Sequence, residues 1–206
     1  MAVPFLLRLY QQLTPFLKWG VGAYAHYRLR QGKEDPKRLS ERFGKASQAR
    51  PEGMVAWFHS ASVGEAVSLL PVLQRIRTQF PHITPFITTG TITAAAVVTK
   101  DLPQGCIHQY NPWDVPDWVD AFLDHWQPDI AVFVESEFWP NLILNCQRRK
   151  IPLYLINACL SEKSYRAWRW FPSGIGYLLS CFEMCLAQSH VVAERLAYLG
   201  VNPTKV

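Results

Sequence analysis

DIAVFV at residues 129–134, running straight into ESEFWP at 135–140, decides the fold. After Asp129 every residue of the run is apolar. A strand with no polar alternation is covered on both faces, as in a parallel sheet flanked by helices. The abrupt change to Glu135 and Glu137 falls at the carboxyl end of the strand, where such sheets bind ligands. The same pattern recurs on either side. MVAWFH at 54–59 ends in Ser60 and precedes a helical spacing over 65–80, with Val67, Leu70, Val72, Leu73 and Ile76. TPFIT at 84–88 reads as a strand, 91–100 as an alanine-rich helix and 107–110 as a weaker strand. Residues 114–126 predict a helix with Asp114 as N-cap, Pro116 in the first turn and Val119, Phe122, Leu123 and Trp126 on one face. A helix over 139–150, ending in Arg148, Arg149 and Lys150, is followed by strands at 153–156 and 184–187 and a helix at 191–200. Repeated strand–helix units predict an α/β class: a Rossmann-like parallel sheet with helices on both faces.

In that architecture the residues just after each strand form the site. Here they are 60–65, 88–91, 135–139, 157–163 and 188–189, which are small, polar or acidic almost throughout. In HSASVGE (59–65), small residues let backbone amides approach a ligand, and a helix N-terminus follows. The loop is neither GxGxxG nor GxxxxGK[ST], so the common nucleotide fingerprints are absent and a nicotinamide oxidoreductase is disfavoured. Glu65 is placed either to act as a general base in the crevice or to complement the helix dipole. Glu135 and Glu137 are two carboxylates at the end of a buried strand, costly unless used or paired. Alternation puts them on one side if the strand continues through them. The other reading gives Glu137 a capping role and Glu135 a buried hydrogen bond.

The chain has 206 residues, 49% apolar and 18% charged, enough for a real core and too apolar for disorder. Its net charge of +5 is uneven. Residues 1–50 carry ten Lys/Arg against three acids, and the remainder carries eleven against thirteen. A uniformly basic nucleic-acid binder does not look like this. A basic end beside an apolar stretch suits an anionic membrane surface. Phe5, Leu6, Leu9, Leu13, Phe16 and Leu17 recur at helical steps, while Arg8, Gln11, Gln12 and Lys18 interrupt any transmembrane run. The expectation is an interfacial helix within a membrane-associating segment at 1–50, followed by a Rossmann-like domain at 51–206. The other reading packs that helix on the protein's own core or on a partner. RAWRWF at 166–171 is a second candidate for the headgroup level, or else an ordinary amphipathic helix. Five cysteines without CxxC, and histidines without HxxxH, predict reduced thiols and no protein-held metal.

HSASVGEAVSLLPVLQRI, TTGTITAA, VFVESEFWPNLI, INACLSEKSY and LAQS, with ERFG at 41–44, resemble the bacterial 3-deoxy-D-manno-octulosonic acid (Kdo) transferases in order and spacing. The resemblance implies the N-terminal, acceptor-binding half of a GT-B glycosyltransferase. It implies transfer of Kdo from CMP-Kdo to a lipid A precursor, with inversion and without a metal or other cofactor, at the cytoplasmic face of the bacterial inner membrane. Glu65 then corresponds to the family's catalytic base and Glu135 to a glutamate that aids the transition state. Ser60, Ser62, Gly64, Thr88, Thr89, Gly90 and Glu137 are the expected substrate-binding positions. The donor-binding domain is expected to lie outside these 206 residues, so that this polypeptide alone performs no transfer. The alternative is a non-catalytic, membrane-associated acceptor-binding module.

Overall fold

The computed structural model describes residues 2–206. Two helices come first, α1 (Phe5–Leu13) and α2 (Lys18–Arg30), then a 3-10 turn (Leu39–Phe43). Strands and helices then alternate: β1 (Met54–Ser60), α3 (Val63–Gln79), β2 (Ile83–Thr89), α4 (Ile92–Asp101), β3 (Ile107–Tyr110), α5 (Pro116–Trp126), β4 (Ile130–Val134) and α6 (Pro140–Arg148). The series closes with β5 (Leu153–Ala158), α7 (Glu162–Trp168), α8 (Pro172–Ser180), β6 (Phe182–Ala187), α9 (His190–Tyr198) and a short turn (Pro203–Lys205). All six strands pair in parallel, in the order β3-β2-β1-β4-β5-β6. The order reverses between β1 and β4. Their register, His59 opposite Phe133, brings the loops after the two strands out side by side.

Alternation along the strands builds two core layers. Val55 and Trp57 face one way, with Phe86, Phe133 and Leu155, and pack against Phe122 and Trp126 of α5, Leu142 and Ile143 of α6, and Leu178 of α8. Ala56 and Phe58 face the other way and pack against Leu69 and Leu73 of α3 and Val98 of α4. Helices therefore cover both faces of the sheet over β1, β2 and β4. Over β5 and β6 the second face is more open, with Tyr154 and Ile156 half-buried and Met184 and Leu186 exposed.

The helix expected over the first apolar stretch is interrupted. α1 stops at Leu13 and a turn leads to α2. Pro15 has no amide hydrogen and its ring clashes with the preceding turn, so it disfavours a continuous helix there. α1 docks on the domain through Leu7, which is buried, and through Tyr10, whose hydroxyl donates to Asp114 at 2.9 Å. Asp114 departs from its expected place. α5 opens at Pro116 with no side-chain cap, and the Asp114 carboxylate instead accepts from the backbone of Asn141 (3.0 Å) and Leu142 (2.9 Å) at the start of α6. The residue before α6 is Trp139, whose side chain has no oxygen to offer, so the first free amides of α6 are met from another element. Burial raises the Asp114 pKa to about 6, against the pull of these donors.

Residues 34–44 fold onto the ends of β2 and β3. Arg42 is fully buried. Its guanidinium donates to Glu34 (2.9 Å), to the Asn111 side chain (2.8 Å) and to the Gly90 carbonyl (2.8 Å). Glu41, also buried, accepts from Arg38 and from the Tyr110 backbone. Gly44 ends the turn at φ +75°, where an added Cβ would stand 2.0 Å from the Trp118 carbonyl oxygen. Gly44→Ala is therefore expected to cost roughly 2 kcal/mol or more, read as a lower urea midpoint.

Two buried histidines make stability pH-dependent. Burial, and then the nearby arginines, lower His59 and His108 to about 3. Arg38 can only donate to His108 Nδ1 (3.2 Å), so the ring is neutral with its proton on Nε2, toward Thr89 (2.9 Å). The unfolded chain takes up these protons near pH 6.5 and the folded chain only near 3. Stability is thus lost on acidification across that window, by up to about 1.4 kcal/mol per pH unit for each histidine. Asp114 acts with the opposite sign, and only below about pH 6. Urea midpoints are expected to fall from pH 7 to pH 5, and the slope to be shallower in His108→Gln.

Candidate active site

The loops after β1, β2 and β4 meet at the carboxyl end of the sheet. Ser62 caps α3, its hydroxyl accepting from the Glu65 amide (3.3 Å), and Glu65 Oε2 reaches back to accept from the Ala61 amide (2.7 Å). Of the two sequence readings of Glu65, the hydrogen bonds show the one at the helix N-terminus. The side chain closes the first turn of α3 through the Ala61 amide and is buried, with only 6% of its surface exposed. Gly90 crosses this loop so closely that a Cβ would lie 3.0 Å from the Ala61 carbonyl oxygen, which explains a glycine there.

The predicted binding positions divide into two groups. Ser62 and Gly64 are exposed on the loop. Ser60, Thr88 and Thr89 are fully buried and bonded inside the sheet. The Ser60 hydroxyl donates to the Thr88 carbonyl, Thr88 Oγ1 accepts from Trp57 Nε1 (2.9 Å), and Thr89 Oγ1 pairs with His108. They form the framework behind the loops, with no side chain left facing the crevice.

β4 ends at Val134, one residue before the acids, so strand alternation does not govern them. Glu135 adopts φ +62°, in the left-handed region, while its amide still donates to the Ile156 carbonyl (3.1 Å). Glu137 is half-buried and accepts from Trp139 Nε1 at 2.7 Å, a partner two residues away that sequence reading did not foresee. Glu135 and Glu137 both feel the charge of Glu65. Partial burial and then the charge of Glu65 raise the Glu135 pKa. Glu137 is raised by burial first, against its bond to Trp139, and further by Glu65 and Glu135. Glu135 and Glu137, made more basic by burial and by neighbouring carboxylates at the reversal point of a parallel sheet, are chemically able to take a proton from a bound hydroxyl.

Sequence reading missed one wall of the site. Tyr24 and Arg28 of α2, with Asn111 and Trp113 from the loop after β3, face Gly90, Glu137 and Trp139 across a cleft of about 350 Å³. Nothing in the local pattern of α2 marks these residues. The one signal was ERFG, whose Arg42 lies beneath the cleft.

The profile of the 3-deoxy-D-manno-octulosonic-acid transferase (kdotransferase) family matches residues 37–206. A probable mitochondrial Kdo transferase of Arabidopsis thaliana is 39% identical over 206 residues, covering 97% of this chain and 45% of the relative. The Kdo transferase of Rickettsia bellii is 31% identical over 199 residues, covering 97% and 47%. That of Haemophilus influenzae is 31% identical over 173 residues, covering 82% and 40%. The chain thus spans less than half the length of these relatives. Among solved structures, UDP-GlcNAc 2-epimerase from Neisseria meningitidis superposes with a TM-score of 0.52 at 14% identity, over 74% of this chain and 46% of that one. A putative UDP-N-acetylglucosamine 2-epimerase from Listeria monocytogenes gives 0.54 at 12%, over 75% and 44%. At such identity the likeness is one of fold. The sequence matches, covering both the SVGE and the ESEFWPN loops, establish that this chain belongs to the 3-deoxy-D-manno-octulosonic acid (Kdo) transferase family of glycosyltransferases.

Proposed function

We propose that this chain is the acceptor-binding half of an inverting transferase that moves Kdo from CMP-Kdo to a lipid A precursor in lipopolysaccharide core biosynthesis. The observation that carries the reading is the convergence of Glu65, Glu135 and Glu137 where β1 and β4 end, within a Kdo transferase family chain. Glu65 is the base. Its Oε2 is held by the Ala61 amide, which orients the carboxylate, and Oε1 takes the proton of the acceptor hydroxyl. The freed oxygen bonds to the anomeric carbon of Kdo on one face as the bond to the CMP phosphate oxygen breaks on the other. CMP leaves with the bonding electrons, and the configuration inverts. Glu135, presented by a left-handed backbone turn, supports the positive charge that develops on the sugar. A second domain supplies the donor.

The acceptor is an acylated lipid, and the exposed surface of α1 and α2 supports a membrane-surface location. Leu7 points inward, while Phe5, Leu6 and Leu13 are exposed, Phe16 is 81% exposed and Trp19 is 88% exposed. Trp168 packs on Phe138, whereas Trp170 is 91% exposed beside Arg166 and Arg169. No helix among the described residues is long and apolar enough to cross a membrane. Aromatic and basic side chains together on an exposed surface suit the headgroup level of the inner membrane's cytoplasmic face.

Glu65→Gln tests the chemistry. The amide keeps an oxygen for Ala61 but cannot take the proton. Transfer from CMP-Kdo to a tetra-acylated precursor, in the full-length enzyme, should fall by about 10²- to 10⁴-fold with the urea midpoint little changed. Unchanged transfer would overturn the base assignment. Loss of transfer in every form, wild type included, would favour a non-catalytic binding module. For the membrane contact, a Phe16→Ala, Trp19→Ala, Trp170→Ala variant is expected to stop floating with anionic vesicles while retaining its fold. Flotation equal to wild type would remove that part of the reading.

A further inference from the structure

The loop over 135–139, which carries Glu135 and Glu137, is held at its two ends. At the first, β4 fixes it, with the Glu135 amide on the Ile156 carbonyl. At the second it runs into α6, which opens with no side-chain cap and with Pro140, which has no amide to give. The amides of Asn141 and Leu142 are taken instead by the two oxygens of one carboxylate, Asp114 Oδ2 at 3.0 Å and Oδ1 at 2.9 Å. The Ile143 amide then closes on the Trp139 carbonyl at 3.0 Å, and Trp139 Nε1 donates to Glu137. Where α6 begins therefore sets where Glu137 stands. Trp113, the residue before Asp114, lines the same cleft as Trp139, so Asp114 also fixes these two rings relative to each other.

Asp114 is held in turn by α1. The Tyr10 hydroxyl donates to Oδ2 at 2.9 Å, the same oxygen that takes the Asn141 amide. Four residues on, the Thr14 hydroxyl donates to the Tyr10 carbonyl (2.9 Å) and accepts from Asn141 Nδ2 (3.1 Å). That nitrogen also donates to the Asp114 carbonyl at 2.6 Å. Tyr10 and Thr14 thus close on the same two residues, Asp114 and Asn141. Among the described residues, the Asp114 carboxylate meets only Tyr10 and the two amides, so each donor matters to it. α1 buries a single side chain, Leu7, and its docking leans on these polar bonds. We propose that Tyr10 and Asp114 are positioning residues for the transfer reaction: Tyr10 fixes the Asp114 carboxylate, and Asp114 fixes the first turn of α6 and with it Trp139 and Glu137. This rests on the transferase reading above. Neither residue touches a reacting atom. The helix whose outer face exposes Phe5, Leu6 and Leu13 is thereby joined to the carboxylate loop, and the docking of one and the geometry of the other change together.

Hydrogen–deuterium exchange of this chain reads the coupling without turnover. Tyr10→Phe keeps the ring and removes only the hydroxyl. Loss of one hydrogen bond to a charged group shifts a local opening equilibrium by about tenfold or more, so peptides covering 135–142 are expected to exchange about tenfold faster, with β1 and β2 changed by less than about twofold. Asp114→Asn keeps one acceptor oxygen and loses the other, and should have the larger effect. Adding Tyr10→Phe to it should change nothing more, because the hydroxyl acts through that carboxylate. Lys18→Ala is the control: it breaks the exposed pair with Asp117 that also ties this segment to the domain, and should leave exchange at 135–142 as in wild type. In the full-length enzyme, with rates normalised to the folded fraction, kcat for Kdo transfer should fall about three- to tenfold in Tyr10→Phe while the KM for CMP-Kdo stays unchanged. If Asp114→Asn folds poorly, Tyr10→Phe and Lys18→Ala carry the test. Unchanged exchange at 135–142 in Tyr10→Phe, faster exchange spread evenly over the sheet, the same change in Lys18→Ala, or a raised KM with unaltered kcat would each overturn the proposal. The expected exchange pattern in an enzyme that transfers no Kdo sinks the catalytic reading alone. Transfer by an enzyme whose 135–142 exchange ignores Tyr10 sinks this coupling alone.

Discussion

The buried guanidinium of Arg42 is the constraint on which the site depends. Taking an arginine fully out of water is repaid only if its charge and its donors are all met. Here Glu34 meets the charge, while Asn111 and the carbonyls of Thr89, Gly90 and Asn111 meet the donors. These partners come from three separate stretches of chain: the segment after α2, the end of β2 and the end of β3. One side chain therefore fixes where β2 stops, how Gly90 turns, and where the segment after α2 lies. The Tyr110 ring, 4.5 Å from the guanidinium, closes the remaining side.

From Arg42 a short chain of contacts reaches the chemistry. Gly90, held by its carbonyl, lies against Ala61 without room for a side chain. Ala61 is held in turn by its amide on Glu65. The position of the candidate base thus follows from a loop clamped between two rigid strand ends. Asp114 plays a parallel part on the other layer, joining Tyr10 of α1 to the first amides of α6. The N-terminal helices are consequently not a loose appendage. α1 packs by Leu7 and is anchored by Tyr10, and α2 ends where Arg28 meets Glu34.

The apolar runs at β1, β2 and β4 were legible because a strand covered on both faces leaves no polar alternation. The candidate loops stood out because small and acidic residues after such strands have few structural uses. Asp114 was misplaced because a capping carboxylate looks the same whether it serves its own helix or another one. Glu135 and Glu137 could not be assigned a side, since a left-handed residue at the strand's end cancels the alternation on which that reading depends. By sequence the strand ended at Thr88 and Thr89 fell in the loop, whereas β2 runs on through Thr89 and buries both, its pairing with β1 and β3 extending the ladder.

By itself the sequence determined the class of fold, the chain order of its strands and helices, the family, and the small set of loops in which chemistry could lie. Periodicity and local composition carry that information because they act over a few neighbouring residues. Only the tertiary structure decided that Glu65 closes the first turn of α3 through the Ala61 amide, that its charge reaches Glu135 and Glu137, and that α2 builds a wall of the cleft. Those facts depend on contacts between residues tens of positions apart, such as Arg42 with Asn111 or Tyr10 with Asp114. Such pairs leave no periodic trace. They are fixed by the need of buried charges and amides for partners once the sheet has closed around them.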